Sequence, residues 1–171
     1  MNGLSLFANV GIAETYLEQV GVDIVIANEL LPNRARFYEH LYSECNMICG
    51  DITDNAVYQN IIDESRNNNV EFILATPPCQ GMSIAGHNSP YDERNSLVKY
   101  AVDAIIDIKP KYVFMENVPQ QLDTPIEYEG REMLIPEYLE KRLGNLYVFN
   151  KEKITNAMYY GVPQMLSLIH I

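Results

Sequence analysis

The 171-residue sequence predicts an α/β fold, a mostly parallel sheet with helices on both faces. Three observations carry that expectation. Short apolar runs alternate with segments of helical period. Two runs, Val22–Ala27 and Val70–Ala75, are dominated by apolar residues, as in strands buried on both faces. The runs also end in compact turns, Ala8-Asn9-Val10-Gly11, Asn28-Glu29, Gly50-Asp51 and Thr76-Pro77-Pro78-Cys79. In open α/β sheets the chemistry lies at that carboxyl edge.

The elements follow in order. Leu4–Phe7 reads as a first strand and Ile12–Val20 as a helix, followed by the Val22–Ala27 strand. Pro32 suits the first turn of a helix reaching about Tyr42, because its fixed φ fits there and its missing N–H is not needed. Met47-Ile48 is a third short strand. A helix opens at Asn55 and stops at Asn67-Asn68-Asn69, before the Val70–Ala75 strand. Residues 77–93 form a loop rich in Gly, Ser and Pro. Asn95–Ile108 is a helix with Leu97, Val98, Ala101, Val102, Ile105 and Ile106 on its apolar face. Lys111–Met115 is a fifth strand, running into Glu116-Asn117-Val118-Pro119. Residues 120–132 read as a surface loop, Leu134–Leu143 as a helix C-capped by Gly144, and Tyr147–Ile154 as a strand. Neither an internal repeat nor an interdomain linker is evident.

Composition narrows the function classes. A hydrophobic share of 47% is that of a folded domain rather than a disordered chain. No apolar run approaches the ~20 residues of a membrane span, and Met1-Asn2-Gly3-Leu4 lacks the basic start of a signal peptide. Three cysteines, an odd number, fit free thiols in a reducing compartment. The net charge of −11 repels phosphate and argues against nucleic acid, unless a basic cleft or a separate basic region holds it.

Each strand end admits two readings. Ala8-Asn9-Val10-Gly11 is either the turn that faces a nucleotide-like cofactor or an ordinary tight turn. Glu29 either accepts the hydroxyls of a ribose or sits as a carboxylate at a helix N-terminus. Asp51 either accepts from an adenine amino group or forms an Asx turn. Three such features at successive strand ends favour the functional readings together. Cys79 follows two prolines that stiffen the backbone on which the thiol is held. A buried packing cysteine, the bland alternative, needs no such scaffold. Glu116 ends the fifth strand, where partial desolvation raises a carboxyl's pKa and suits it to carry a proton; its alternative is a cap or salt bridge. His40, His87 and His170 lack metal-ligand spacing, and Cys45-x-x-x-Cys49 has no partner pair, so no metal is expected. The twelve tyrosines show no stripe and read as core and surface filler.

The motifs in order resemble the catalytic region of the DNA (cytosine-5)-methyltransferases. They are Leu6-Phe7-Ala8-x-x-Gly11, Asn28-Glu29, Gly50-Asp51-Ile52, Pro77-Pro78-Cys79-Gln80, Asp92-x-Arg94-x-x-Leu97, Met115-Glu116-Asn117-Val118 and Asn156-Ala157-x-x-Tyr160-Gly161-Val162-Pro163-Gln164. The resemblance implies a Rossmann-like methyltransferase fold over residues 1–164, with S-adenosylmethionine as methyl donor and no metal. It implies that Cys79 adds covalently to C6 of cytosine while Glu116 assists at N3. Phe7, Asn9, Gly11, Glu29, Leu30, Asp51, Ile52, Pro78 and Leu97 would line the cofactor site, and Gln80, Ser83 and Arg94 would meet DNA and the target base. The implied partners are double-stranded DNA with a flipped cytosine and a cognate restriction endonuclease, with no membrane. The implied setting is a bacterial or phage-encoded cytoplasmic enzyme.

The sequence also departs from the pattern. Asn9 and Ile12 stand where the family has glycine, which makes the first turn bulkier. The family's Gln-x-Arg-x-Arg after the proline is Gln164-Met165-Leu166-Ser167-Leu168 here, without either arginine. Residues 165–171 read as a tail outside the family, resembling an adaptor read-through. The expectation is a fold incomplete at its C-terminus, lacking the target-recognition domain and inactive alone. Two alternatives stand beside this reading, a cytosine-5 transfer-RNA methyltransferase and a non-catalytic S-adenosylmethionine-binding module.

Overall fold

The computed structural model describes residues 1–79, 92–150, 153–156, 159 and 167–170. The chain divides into two compact units. One comprises Met1–Thr76 with Asp103–Phe114, the other Pro77–Val102 with Met115–Ile171.

The first unit is built on parallel strands β1 (Asn2–Leu6), β2 (Asp23–Glu29), β3 (Asn46–Cys49) and β4 (Phe72–Ala75). Their order is β3-β2-β1-β4, and β5 (Tyr112–Asn117) comes next beside β4. The register aligns the carboxyl ends: Leu6 stands opposite both Asn28 and Ala75, and Glu29 opposite Cys49. Leu4, Leu6, Ile26 and Ile73 are fully buried. Burial of such a side chain contributes about 1.5–3 kcal/mol, which explains the nearly unbroken apolar strands.

Helix α1 (Pro32–Leu41) begins on its proline as expected, and α2 (Asn55–Asn67) is capped by Asp54. The Asp54 carboxylate accepts from the N–H groups of Ala56 (2.8 Å) and Val57 (3.2 Å), a cap of about 1 kcal/mol. Helix α3 spans Leu97–Ile108, with the turn Glu93–Ser96 before it in 3₁₀ form. The helix expected over Ile12–Val20 is absent. That stretch is a series of turns ending in a 3₁₀ segment, Leu17–Val20. Its would-be apolar stripe, Ile12, Tyr16 and Val20, is more than two-thirds exposed, so no packed face offsets the cost of helix nucleation.

The second unit holds the end of β5, a 3₁₀ turn over Pro119–Asp123, and a hairpin of β6 (Pro125–Tyr128) and β7 (Arg131–Leu134). Helix α4 (Ile135–Leu143) follows, then strands β8 (Lys153–Asn156) and β9 (Ser167–His170). Residues 120–132, expected as a surface loop, are therefore structured. Gln121, Thr124 and Ile126 are buried, and Glu129-Gly130 forms the hairpin tip with both φ angles positive. Gly144 caps α4 in right-handed rather than left-handed geometry. The residue is small for lack of space, since a Cβ there would lie 2.5 Å from the Glu140 carbonyl oxygen. The strand expected over Tyr147–Ile154 begins later, at Lys153, and Val148 is fully exposed. Antiparallel β9 lies beside β5, pairing His170 with Glu116 and Ile169 with Asn117. The residues read as a tail thus supply a strand.

Candidate active site

In the first unit the turns after β1, β2 and β3 come together at one edge. The first turn has an unusual backbone, with φ of 61° at Phe7, 52° at Asn9 and 83° at Gly11. Left-handed residues other than glycine are strained and cluster at functional turns. Asn9 stands where glycine was expected because asparagine is among the few residues that tolerate this conformation. Gly11 has no alternative. A Cβ there would fall 2.2 Å from the Tyr42 ring, and the Tyr42 hydroxyl donates to the Gly11 carbonyl at 2.6 Å.

The second turn ties the others together. Glu29 is 5% exposed, and its Oε2 accepts from the Asn9 N–H and its Oε1 from the Leu31 N–H, both at 2.9 Å. The bond to Leu31, the N-cap of α1, fits the helix N-terminus reading of Glu29. Two bonds leave its oxygens with further acceptor capacity. The Asn28 carbonyl accepts from Ala8 N–H, and the Asn28 amide reaches across to the third turn. There Asp51 forms the Asx turn, its Oδ1 accepting from Thr53 N–H at 2.9 Å. Its Oδ2 has no protein partner among the described residues. Leu30 is exposed, whereas Ile52 is buried and its side chain belongs to the core.

Beneath the first turn, Ser5 Oγ donates to Glu14 Oε1 at 2.5 Å, both residues being buried. Burial raises the Glu14 pKa, and the Ser5 hydrogen bond partly opposes it. Sequence reasoning missed this pair. The signal was a lone carboxylate inside the stretch Gly11-Ile12-Ala13-Glu14.

The second unit carries the reactive candidates. Pro77 leads into half-buried Pro78 and Cys79, and Glu116 is the penultimate residue of β5, which runs further than expected, to Asn117. Burial raises the pKa of both the Cys79 thiol and the Glu116 carboxyl, and the nearby Glu116 charge pushes Cys79 further up. The Glu116 carboxyl has no hydrogen-bond partner among the described residues. Asn117, 2% exposed, links the two segments, its Nδ2 donating to the Pro77 carbonyl at 3.1 Å and its Oδ1 accepting from Val118 N–H at 2.8 Å. Arg94 forks onto Asp92 through Nε (2.8 Å) and Nη2 (2.6 Å). Leu97 opens α3 in this same unit. Gln80 and Ser83 lie outside the described residues. Among the described residues no group of three or more His, Cys, Asp or Glu is gathered to hold a metal.

The sequence model described as C-5 cytosine-specific DNA methylase matches residues 1–165. This chain belongs to that family. The chain is 39% identical over 167 residues to the Type II methyltransferase M1.HgaI of Avibacterium volantium, and 27% identical over 169 residues to M.HhaI of Haemophilus parahaemolyticus. These alignments cover 95% and 98% of this chain, and 46% and 47% of the relatives, so the chain spans a little under half their length. Among solved structures it is similar to one titled as a DNA modification methyltransferase encoded within a prophage (E. coli), with a TM-score of 0.77 at 20% identity over 99% of this chain and 45% of that one. Spodoptera frugiperda DNMT2 gives a TM-score of 0.70 at 20% identity, covering 99% and 48%. These structures share the Rossmann-like α/β fold. Methyltransferases of this kind generally use S-adenosylmethionine, and the methylase's strand-end residues suit such a group: a buried carboxylate, an exposed one, and a strained turn allowing close backbone approach.

Proposed function

We propose that this methylase carries the cofactor-binding and nucleophilic residues for methylating C5 of cytosine in DNA. The observation that carries the reading is the Asn117–Pro77 hydrogen bond, which ties the Cys79 segment to β5 beside a half-buried Glu116 carboxyl that has no hydrogen-bond partner among the described residues. When bound, S-adenosylmethionine supplies an electrophilic methyl group. Phe7, Asn9, Gly11 and Leu30 would surround it, with Glu29 directed to the ribose hydroxyls and Asp51 to the adenine amino group, while Ile52 backs this edge from the core.

Cytosine C5 is too weak a nucleophile to take a methyl group unaided. Cys79 Sγ, as thiolate, adds to C6, and the ring electrons move toward C5. Protonated Glu116 donates to N3 and stabilises the charge arriving there. After transfer a base removes the C5 proton, the C5–C6 double bond re-forms, and Cys79 leaves as thiolate. Glu116 in its protonated form no longer repels the thiolate beside it, so the raised pKa of Glu116 favours the nucleophilic form of Cys79. The cytosine must leave the duplex to reach these groups, where Gln80, Ser83 and Arg94 would contact it and its strand.

We place the enzyme in a bacterial or phage-encoded cytoplasmic setting, alongside a cognate restriction endonuclease. Because the chain is expected to be inactive alone, the test fuses it to the region of M1.HgaI that it does not cover and incubates the fusion with S-adenosylmethionine and unmethylated genomic DNA, read by bisulfite sequencing. The expected result is 5-methylcytosine within one recurring sequence, lost in Cys79→Ala. Protein that binds S-adenosylhomocysteine yet methylates no cytosine would overturn the reading.

A further inference from the structure

We propose that Asn28 is the positioning residue that sets the spacing between the ribose-directed Glu29 and the adenine-directed Asp51, an inference that rests on the cofactor reading above. Asn28 is 2% exposed and terminates the apolar strand β2. Its Nδ2 donates to two carbonyls, that of Ile48 within β3 at 2.9 Å and that of Gly50 in the turn beyond it at 3.1 Å. Its own carbonyl holds the Ala8 N–H at 2.9 Å on the other side. The next residue, Glu29, accepts from Asn9 and Leu31 through its carboxylate and from Gly50 N–H through its carbonyl at 3.0 Å.

Residues 28 and 29 therefore bond to all three turns at once. The side chain of Asn28 bridges the end of β3 and the Gly50-Asp51 turn, one bond to each. β3 is only four residues long, and the β2–β3 ladder ends with Glu29 opposite Cys49. Beyond Cys49 the ladder does not hold the chain, and the Asn28 amide and Glu29 carbonyl take over. A donor with two hydrogens and no charge is needed, because the atoms it meets are both carbonyl oxygens. Aspartate has the same shape but places a carboxylate against those oxygens.

The experiment compares wild type, Asn28→Asp, Asn28→Ser and a control, Asn46→Ala. The control removes an exposed bond to Glu64 at the opposite end of β3. S-adenosylhomocysteine and adenosine are titrated, and amide hydrogen exchange is followed. In Asn28→Asp, affinity for both ligands falls about tenfold, since a buried polar group is left unpaired. Both ligands lose equally because the altered spacing concerns the adenosine half. Exchange rises at the Thr53 and Asp54 amides, which bond to Asp51, while the amides of β1 stay protected. Asn28→Ser, retaining one short donor, falls between, and Asn46→Ala matches wild type. Unchanged affinity, or a uniform rise in exchange across the first unit, overturns the proposal. A wild type that binds neither ligand overturns the cofactor reading instead, and the exchange at Thr53 and Asp54 then judges Asn28 alone.

Discussion

Glu29 is the last residue of β2 and Glu116 the penultimate residue of β5, each beside an asparagine, yet they are treated oppositely. In the first unit the Glu29 carboxylate accepts two backbone N–H groups. In the second unit the Glu116 carboxyl has no hydrogen-bond partner among the described residues, and burial alone raises its pKa. The asparagines follow a common rule, each sending its amide to a carbonyl of a neighbouring segment, Asn28 to Ile48 and Gly50, Asn117 to Pro77. A carboxylate held by two donors fixes the backbone around it, whereas one without donors keeps its oxygens open. On the reading proposed above, the first arrangement suits a cofactor and the second a reacting nucleobase.

That contrast can be broken at several points. The largest effect is expected at Gly11. Gly11→Ala adds a Cβ 2.2 Å from Tyr42 in a left-handed backbone, and overpacking with strain should cost about 2–4 kcal/mol in denaturant titration. Gly21→Ala has the same sign of φ but open space, so it should lose only about 1 kcal/mol. Equal losses would show that the first turn is not tightly packed. Asn9→Ala should cost about 1 kcal/mol, while Asn9→Gly should be neutral or better.

In the second unit, burial is the main cause that raises the Cys79 thiol, and Glu116→Gln removes the charge that adds to it. The midpoint of Cys79 alkylation by iodoacetamide, resolved by peptide mass spectrometry, should move to lower pH. Cys45, which burial pushes up to about 11, should be unaffected. No movement at Cys79 would separate the two groups electrostatically.

The smallest effect is expected at Glu14. Its folded pKa is raised, so its stabilising contribution is full below the unfolded carboxyl value and is lost as pH rises through the folded one. Glu14→Gln should therefore melt higher than wild type at neutral pH, with the gain vanishing below about pH 4, since the unfolded carboxyl titrates near 4.3. A gain independent of pH would contradict the burial of that charge.

The strand ends were legible because their signals are local. Continuous apolar runs identify β2 and β4, and the turn residues after them identify the edge. The Ile12–Val20 helix was misread because its period was right and its burial was not, and burial is a tertiary property. The hairpin over Pro125–Leu134 was hidden by a Glu-Gly tip, weaker as a sequence signal than Asn-Gly. The Asx turn at Asp51 and the helix-start position of Glu29 were the bland readings of those residues. The structure shows these local geometries at the same side chains that the cofactor reading requires. The roles of Asn28, Asn117 and the Ser5–Glu14 pair depend on which strands are neighbours, which no single segment discloses.

The central claim is that Cys79 is the nucleophile. DNA carrying 5-fluorocytosine blocks the final loss of the C5 substituent and traps any thiol adduct. Incubated with S-adenosylmethionine and the chain fused to the region of M1.HgaI that it does not cover, it should give a denaturant-resistant protein–DNA complex joined through Cys79, absent in Cys79→Ser. A fusion that binds S-adenosylhomocysteine but forms no such complex, or forms it equally in Cys79→Ser, would contradict the account.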